Sequence, residues 1–151
     1  MKLSTKGKYG LKAMFELANS SVDGPVSLKH IAKMQNISDQ YLEQIFSTLK
    51  KAGLIRSVRG AQGGYLLSKP ASDITVADIL RVLEGDMAFT ECLLDSEACE
   101  NFDSCSTRYV WEQIKKAIEN VTVSISLQDM IDDYNSNSNF NFRADDILNK
   151  M

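Results

Sequence analysis

Three cysteines, Cys92, Cys99 and Cys105, stand in the pattern C-x6-C-x5-C and are all the thiols the chain has. Thiolates are soft donors for iron–sulfur clusters or zinc, and three of them in one short loop could serve a single centre. Glu91, Glu97 and Asp103 lie among them and offer oxygen ligands. An odd number of cysteines argues against a disulfide framework. The lone histidine, His30, is far away in sequence and reads as a plain surface residue.

The chain has 151 residues, 44% hydrophobic and 25% charged, ordinary values for a soluble domain with an appendage. Its net charge of −3 hides an asymmetry. Residues 1–70 carry a net +7 and residues 71–151 a net −10. A basic half can follow a phosphate backbone while an acidic half stays in water. No apolar run approaches the roughly 20 residues needed to span a bilayer. The N-terminus lacks the unbroken apolar core of a signal peptide. A cytoplasmic protein is expected.

The elements that must position these groups follow from caps and periodicity. A helix is expected over Ser4–Ser20, with Leu11, Met14, Phe15, Leu17 and Ala18 on its apolar face. Ser27 caps a short helix over Leu28–Met34, Gln35-Asn36-Ile37 breaks it, and Ser38 caps another that runs to Lys51. Ile37 and Leu42 occupy hydrophobic-staple positions. Helix, tight turn, helix is the helix-turn-helix arrangement. With Leu42, Ile45, Phe46 and Leu49 turned to the core, the opposite face offers Gln40, Tyr41, Gln44, Ser47 and Thr48. Such a face suits reading base edges better than neutralising phosphates.

A hairpin follows: Leu54–Val58, the turn Arg59-Gly60-Ala61-Gln62-Gly63-Gly64, and Tyr65–Leu67. With Arg59 at its tip it reads as a wing. A helix from Thr75 to Leu83 stops at Gly85, and a long helix is expected from Thr107 to Ile125. There Trp111, Ile114, Ile118, Val121 and Ile125 make a heptad seam that suits pairing with a second chain. The expected fold is mainly α with a small β-hairpin wing. Its parts are a winged helix-turn-helix domain over residues 1–85, a cysteine loop over 86–106, a dimerisation helix with C-terminal extension over 107–134, and a mobile tail over 135–151. No nucleophile–histidine arrangement, phosphate-binding glycine loop or carboxylate pair suggests an enzyme.

These residues resemble the IscR-type winged-helix transcription regulators, the IscR/NsrR/CymR-like family. The carrying motifs are Leu3-Ser4-Thr5-Lys6-Gly7-Lys8-Tyr9, Ile37-Ser38 with Tyr41-Leu42-Glu43-Gln44, and Val58-Arg59-Gly60-Ala61-Gln62-Gly63-Gly64-Tyr65. Ile79–Gly85 and the three-cysteine loop follow in the family's order, and the likeness extends to about residue 130. The resemblance implies a homodimer on a palindromic double-stranded DNA operator, recognition helices in adjacent major grooves and wings at the minor groove. It implies that Ser38, Tyr41, Gln44 and Ser47 contact bases or nearby phosphates, that Arg59 enters the minor groove, and that Ser4 and Lys6 grip the backbone.

The resemblance also implies an iron–sulfur cluster on Cys92, Cys99 and Cys105, of the 2Fe–2S rather than the 4Fe–4S type, received from the cluster-assembly machinery. The family's usual fourth ligands are absent: Arg108 stands where one type has histidine, and Lys8 where another has an acidic residue. Glu43, on the recognition helix, is the candidate fourth ligand beside the loop carboxylates. The function implied is a cluster-dependent regulator, of repressor type, for iron–sulfur cluster biogenesis genes. Alternatives are the same fold sensing nitric oxide or cysteine supply, or an iron–sulfur electron carrier or cluster-transfer protein. Zinc or simple thiols are the alternatives for the loop.

Overall fold

In the computed structural model, which describes residues 2–148 in backbone and 2–137 in side chain, serine and threonine caps set the helix starts. Ser4 caps α1 (Thr5–Ser20), Ser27 caps α2 (Leu28–Gln35) and Ser38 caps α3 (Asp39–Lys51), each accepting a backbone N–H of the first turn. Asn36, at φ 52°, ends α2 in the left-handed conformation. The turn into α3 is fixed by Ile37 and Leu42, both buried. Thr75 and Asp78 form a reciprocal capping box at the start of α4 (Val76–Glu84).

The core lies among α1, α2, α3 and α4. Met14, Leu17, Ile31, Leu42, Ile45, Phe46, Leu49 and Ile79 are fully buried there. Truncating a side chain such as Phe46 to alanine costs about 3–5 kcal/mol at sites of this kind. Gly10 lets α1 and α4 approach, because a Cβ on it would overlap the Leu83 side chain. Strands β1 (Ile55–Val58) and β2 (Gly64–Leu67) pair antiparallel, with Ile55 opposite Leu67 and Val58 opposite Gly64. Tyr65 exchanges backbone hydrogen bonds with Val26 at 2.8 and 3.0 Å and sets its ring edge-on to Phe46 at 4.9 Å. The wing is thereby anchored to the helical core. This is the winged-helix fold expected from the sequence.

Beyond α4, α5 (Arg108–Ser124) contributes no buried residue. Ile125, placed in that helix from the heptad pattern, stands outside it in extended conformation. Its carbonyl accepts the Val76 N–H at 2.8 Å, and Leu127 N–H donates to the Ile74 carbonyl at 2.9 Å. This bridge stops α5 and starts α6 (Leu127–Leu148), capped by Ser126 and Asp129. Leu127 is fully buried, Met130 and Ile131 pack on the core, and Tyr134 meets Phe15 at 5.3 Å. The extension is thus a helix docked on α1. Helical backbone continues to Leu148, through the stretch expected to be a mobile tail; residues 149–151 of that expectation lie outside the described residues. Among the described residues no helix is long and apolar enough to cross a membrane.

Candidate nucleic-acid interface and thiol loop

Burial of one side of α3 leaves Gln40, Glu43, Gln44 and Ser47 exposed together, lining one open groove. The face is rich in amide and hydroxyl groups with one carboxylate, Glu43, suited to base edges. Ser38 opens it and accepts the Tyr41 N–H at 3.3 Å. Tyr41 is half-buried and edge-on to Tyr9 at 6.0 Å, so it fixes α3 against α1 as well as flanking the face. At the other end Lys50 Nζ donates to Ser57 Oγ at 2.8 Å, tying α3 to the wing. Arg59 is exposed at the turn after β1, and Arg56 and Lys51 are exposed nearby in sequence. Ser4, on α1, is exposed while Lys6 is half-buried. His30 is half-exposed on α2, 3.7 Å from the buried Glu16, and belongs to this scaffold rather than to a ligand set.

The segment between α4 and α5 contains three single 3-10 turns, Glu91–Leu93, Ser96–Ala98 and Phe102–Ser104. Cys92 lies in the first, while Cys99 and Cys105 directly follow the second and third. All three thiols are free and partly exposed. Thr90 Oγ1 is 3.1 Å from Cys92 Sγ, and Thr107 Oγ1 is 3.4 Å from Cys105 Sγ. Hydrogen bonds from the Thr107 hydroxyl and then its backbone N–H, with help from Arg108, hold the Cys105 thiol below its ordinary pKa.

Arg108, which stands where one type of the resembled family has histidine, acts as a clamp. Its Nη1 donates to the Phe102 carbonyl at 2.8 Å, its guanidinium lies 4.6 Å from the Phe102 ring, and its Nε is 3.5 Å from Glu112. Phe89 stacks on Trp111 at 5.3 Å, so the loop is held against α5 from both ends. Cys92 shares a groove with Glu112, Lys115, Lys116 and Glu119, whereas Glu43 lines the separate groove on α3. Among the described residues no three His, Cys, Asp or Glu side chains are gathered in a metal-binding arrangement. The donor set nonetheless fits an iron–sulfur cluster in kind: three soft, free thiols on a loop of short turns, one of them with its pKa lowered by hydrogen bonds. One chain does not bring Glu43 to them.

Sequence reasoning missed the Arg108 clamp and the part played by Glu84, whose Oε1 accepts the Ser4 N–H at 3.0 Å. A signal existed for the latter. An acidic residue at the last position of a helix opposes the dipole unless another element compensates it.

The family model for Rrf2, iron-dependent transcriptional regulators, matches residues 3–133. The chain belongs to the Rrf2 family of transcriptional regulators. It is 46% identical over 130 residues to the HTH-type transcriptional regulator CymR of Bacillus subtilis, covering 86% of this chain and 89% of that protein. With the HTH-type transcriptional regulator IscR of Photorhabdus laumondii it shares 42% over 131 residues, covering 87% and 79%. Among solved structures, T. potens IscR is 50% identical with a TM-score of 0.74, over 89% of this chain and 88% of that one. The structure of CymR, described as the global cysteine regulator of B. subtilis, gives 45% and 0.75, over 87% and 97%. As an Rrf2 member this protein is a regulator and not an enzyme.

Proposed function

We propose that this Rrf2 regulator binds a palindromic operator as a homodimer and answers to an iron–sulfur cluster held by Cys92, Cys99 and Cys105. The observation that carries the reading is the pairing of the amide-rich α3 face with a separate loop of three free, partly exposed thiols. Ser38, Tyr41, Gln44 and Ser47 would address bases or nearby phosphates, Arg59 the minor groove, and Ser4 and Lys6 the backbone. A bound cluster would supply a redox-sensitive cross-link of the loop. A carboxylate would serve as fourth donor, from Glu91, Glu97 or Asp103 on the loop or, across the dimer, from Glu43 of the second protomer. Carboxylate is a harder donor than thiolate, which favours a labile 2Fe–2S centre suited to sensing. We assign the protein to repression of iron–sulfur cluster assembly genes, in the cytoplasm, with the assembly machinery as cluster donor.

A second reading keeps the DNA binding and makes cysteine supply the signal. The similarity to CymR and the ungathered thiols favour it; a signal that needs none of the three thiols does not explain why they are there.

The DNA-binding half is tested by selecting bound duplexes from a random pool and titrating the winner with wild type and Arg59→Ala. The expected product is a palindrome, and Arg59→Ala is expected to lose about 1–3 kcal/mol and its preference for A·T-rich positions at the wing. Unchanged affinity in that variant would remove Arg59 from the interface.

A further inference from the structure

Glu84 is the last residue of α4, where a carboxylate faces the negative end of its own helix dipole. It is half-buried, and its Oε1 takes both donors of Ser4, the backbone N–H at 3.0 Å and the hydroxyl. Ser4 Oγ meanwhile accepts the Gly7 N–H at 3.1 Å, so the residue that caps α1 keeps no donor in reserve. Gly7 makes room for this arrangement, because a Cβ there would overlap the Glu84 carboxylate. The first turn of α1, with Ser4 and Lys6, is thereby tied to the last turn of α4. Gly85 follows at φ 76° and opens the segment that leads to the thiols.

We infer that Glu84 is a positioning residue that sets DNA affinity by holding both Ser4 donors away from phosphate oxygens. This rests on the DNA-binding reading above. While the tie is closed, Ser4 is a cap and nothing more, and a carboxylate beside it repels an approaching phosphate. When it opens, the N–H and hydroxyl of Ser4 become available and the positive end of α1 is uncovered. The tie lies one residue before Gly85, where the chain leaves α4 for the thiol segment.

The test uses the full chain and a random-sequence duplex of roughly 30 base pairs, because phosphate contacts carry no sequence information. Wild type, Glu84→Gln, Glu84→Ala and Gly7→Ala are titrated by fluorescence anisotropy between about 50 and 200 mM salt, the range in which phosphate contacts dominate. Asp86→Asn, which removes one exposed charge two residues away, is the control for net charge. Glu84→Gln, whose amide oxygen still accepts from Ser4, is expected to match the charge control, whereas Glu84→Ala, which leaves Ser4 without that acceptor, is expected to bind about three- to tenfold tighter than both at every salt concentration. Gly7→Ala keeps every charge and improves helix propensity, and it is expected to move the same way. Circular dichroism confirms that each variant is folded. Glu84→Ala binding no tighter than Glu84→Gln and the charge control overturns the inference and leaves DNA binding intact. A wild-type protein that ignores duplex DNA altogether overturns the DNA-binding reading, and the inference with it.

Discussion

Serine in place of Cys92, Cys99 or Cys105 is expected to leave a colourless protein after anaerobic preparation, and wild type is expected to be brown with about two irons and two sulfides per chain. In the proposed site each thiol would supply a donor for which no nearby side chain substitutes. The carboxylates of the loop are harder ligands, and Arg108 is engaged by Phe102 and Glu112. Removing even an outer-shell partner of a metal ligand costs about 10–100-fold in affinity, and loss of a ligand itself costs more. Iron content is therefore expected to fall at least about tenfold in each single variant. The fold should survive, since all three cysteines are partly exposed and outside the core. Wild-type iron in any one of the three would remove that cysteine from the ligand set.

The second large effect concerns the long helix. In this chain α5 rests on α4 along one side and leaves Tyr109, Val110, Val121 and Val123 exposed, with Val121 at 56%. Trp111, assigned to the dimer seam from its heptad position, stacks on Phe89 of its own loop. Val110, Ile114, Ala117 and Val121 recur at steps of four, three and four, an a/d-like stripe. A Val110→Glu, Val121→Glu protein should fold as a monomer, because neither valine is buried in the chain. Pairing two such faces would bury four carboxylates, and burying unpaired charge is prohibitive. Light scattering is expected to show a dimer for wild type and a monomer for the variant. Losing simultaneous contact with two half-sites should weaken operator binding by at least about a hundredfold. A variant that still runs as a dimer would move the interface off this stripe.

Much of the fold was legible because its signals are local. Ser4, Ser27, Ser38 and Thr75 announced four helix starts, the Ile37–Leu42 pair announced the tight turn, and three glycines in six residues announced the wing. What escaped depends on contacts distant in sequence. The Asn-rich stretch after Tyr134 has little helix propensity, and its helical backbone continues from a start docked by Leu127 and the Ile74–Leu127 hydrogen bond. The site divides in the same way. The exposed polar face of α3 followed from periodicity, so Gln44 and Ser47 lie on the open side as expected. The thiol spacing singled out the candidate donors but not their partners, because Thr107 and Arg108 act on Cys105 through the start of α5. The Ser4–Glu84 tie spans 80 residues, and only the misfit of a glutamate at a helix C-terminus hinted at it.

The central claim is that the state of the thiol loop governs DNA binding, and the most direct measurement is operator affinity in one anaerobic sample before and after controlled oxidative loss of its cluster. Fluorescence anisotropy on the selected palindrome would follow affinity while visible absorbance followed the cluster. The account predicts a change of at least about tenfold, the scale of a typical coupling free energy, in step with the loss of colour. Cys99→Ser is expected to sit at the cluster-free value throughout. A brown protein that binds the palindrome equally well with and without its cluster would contradict it.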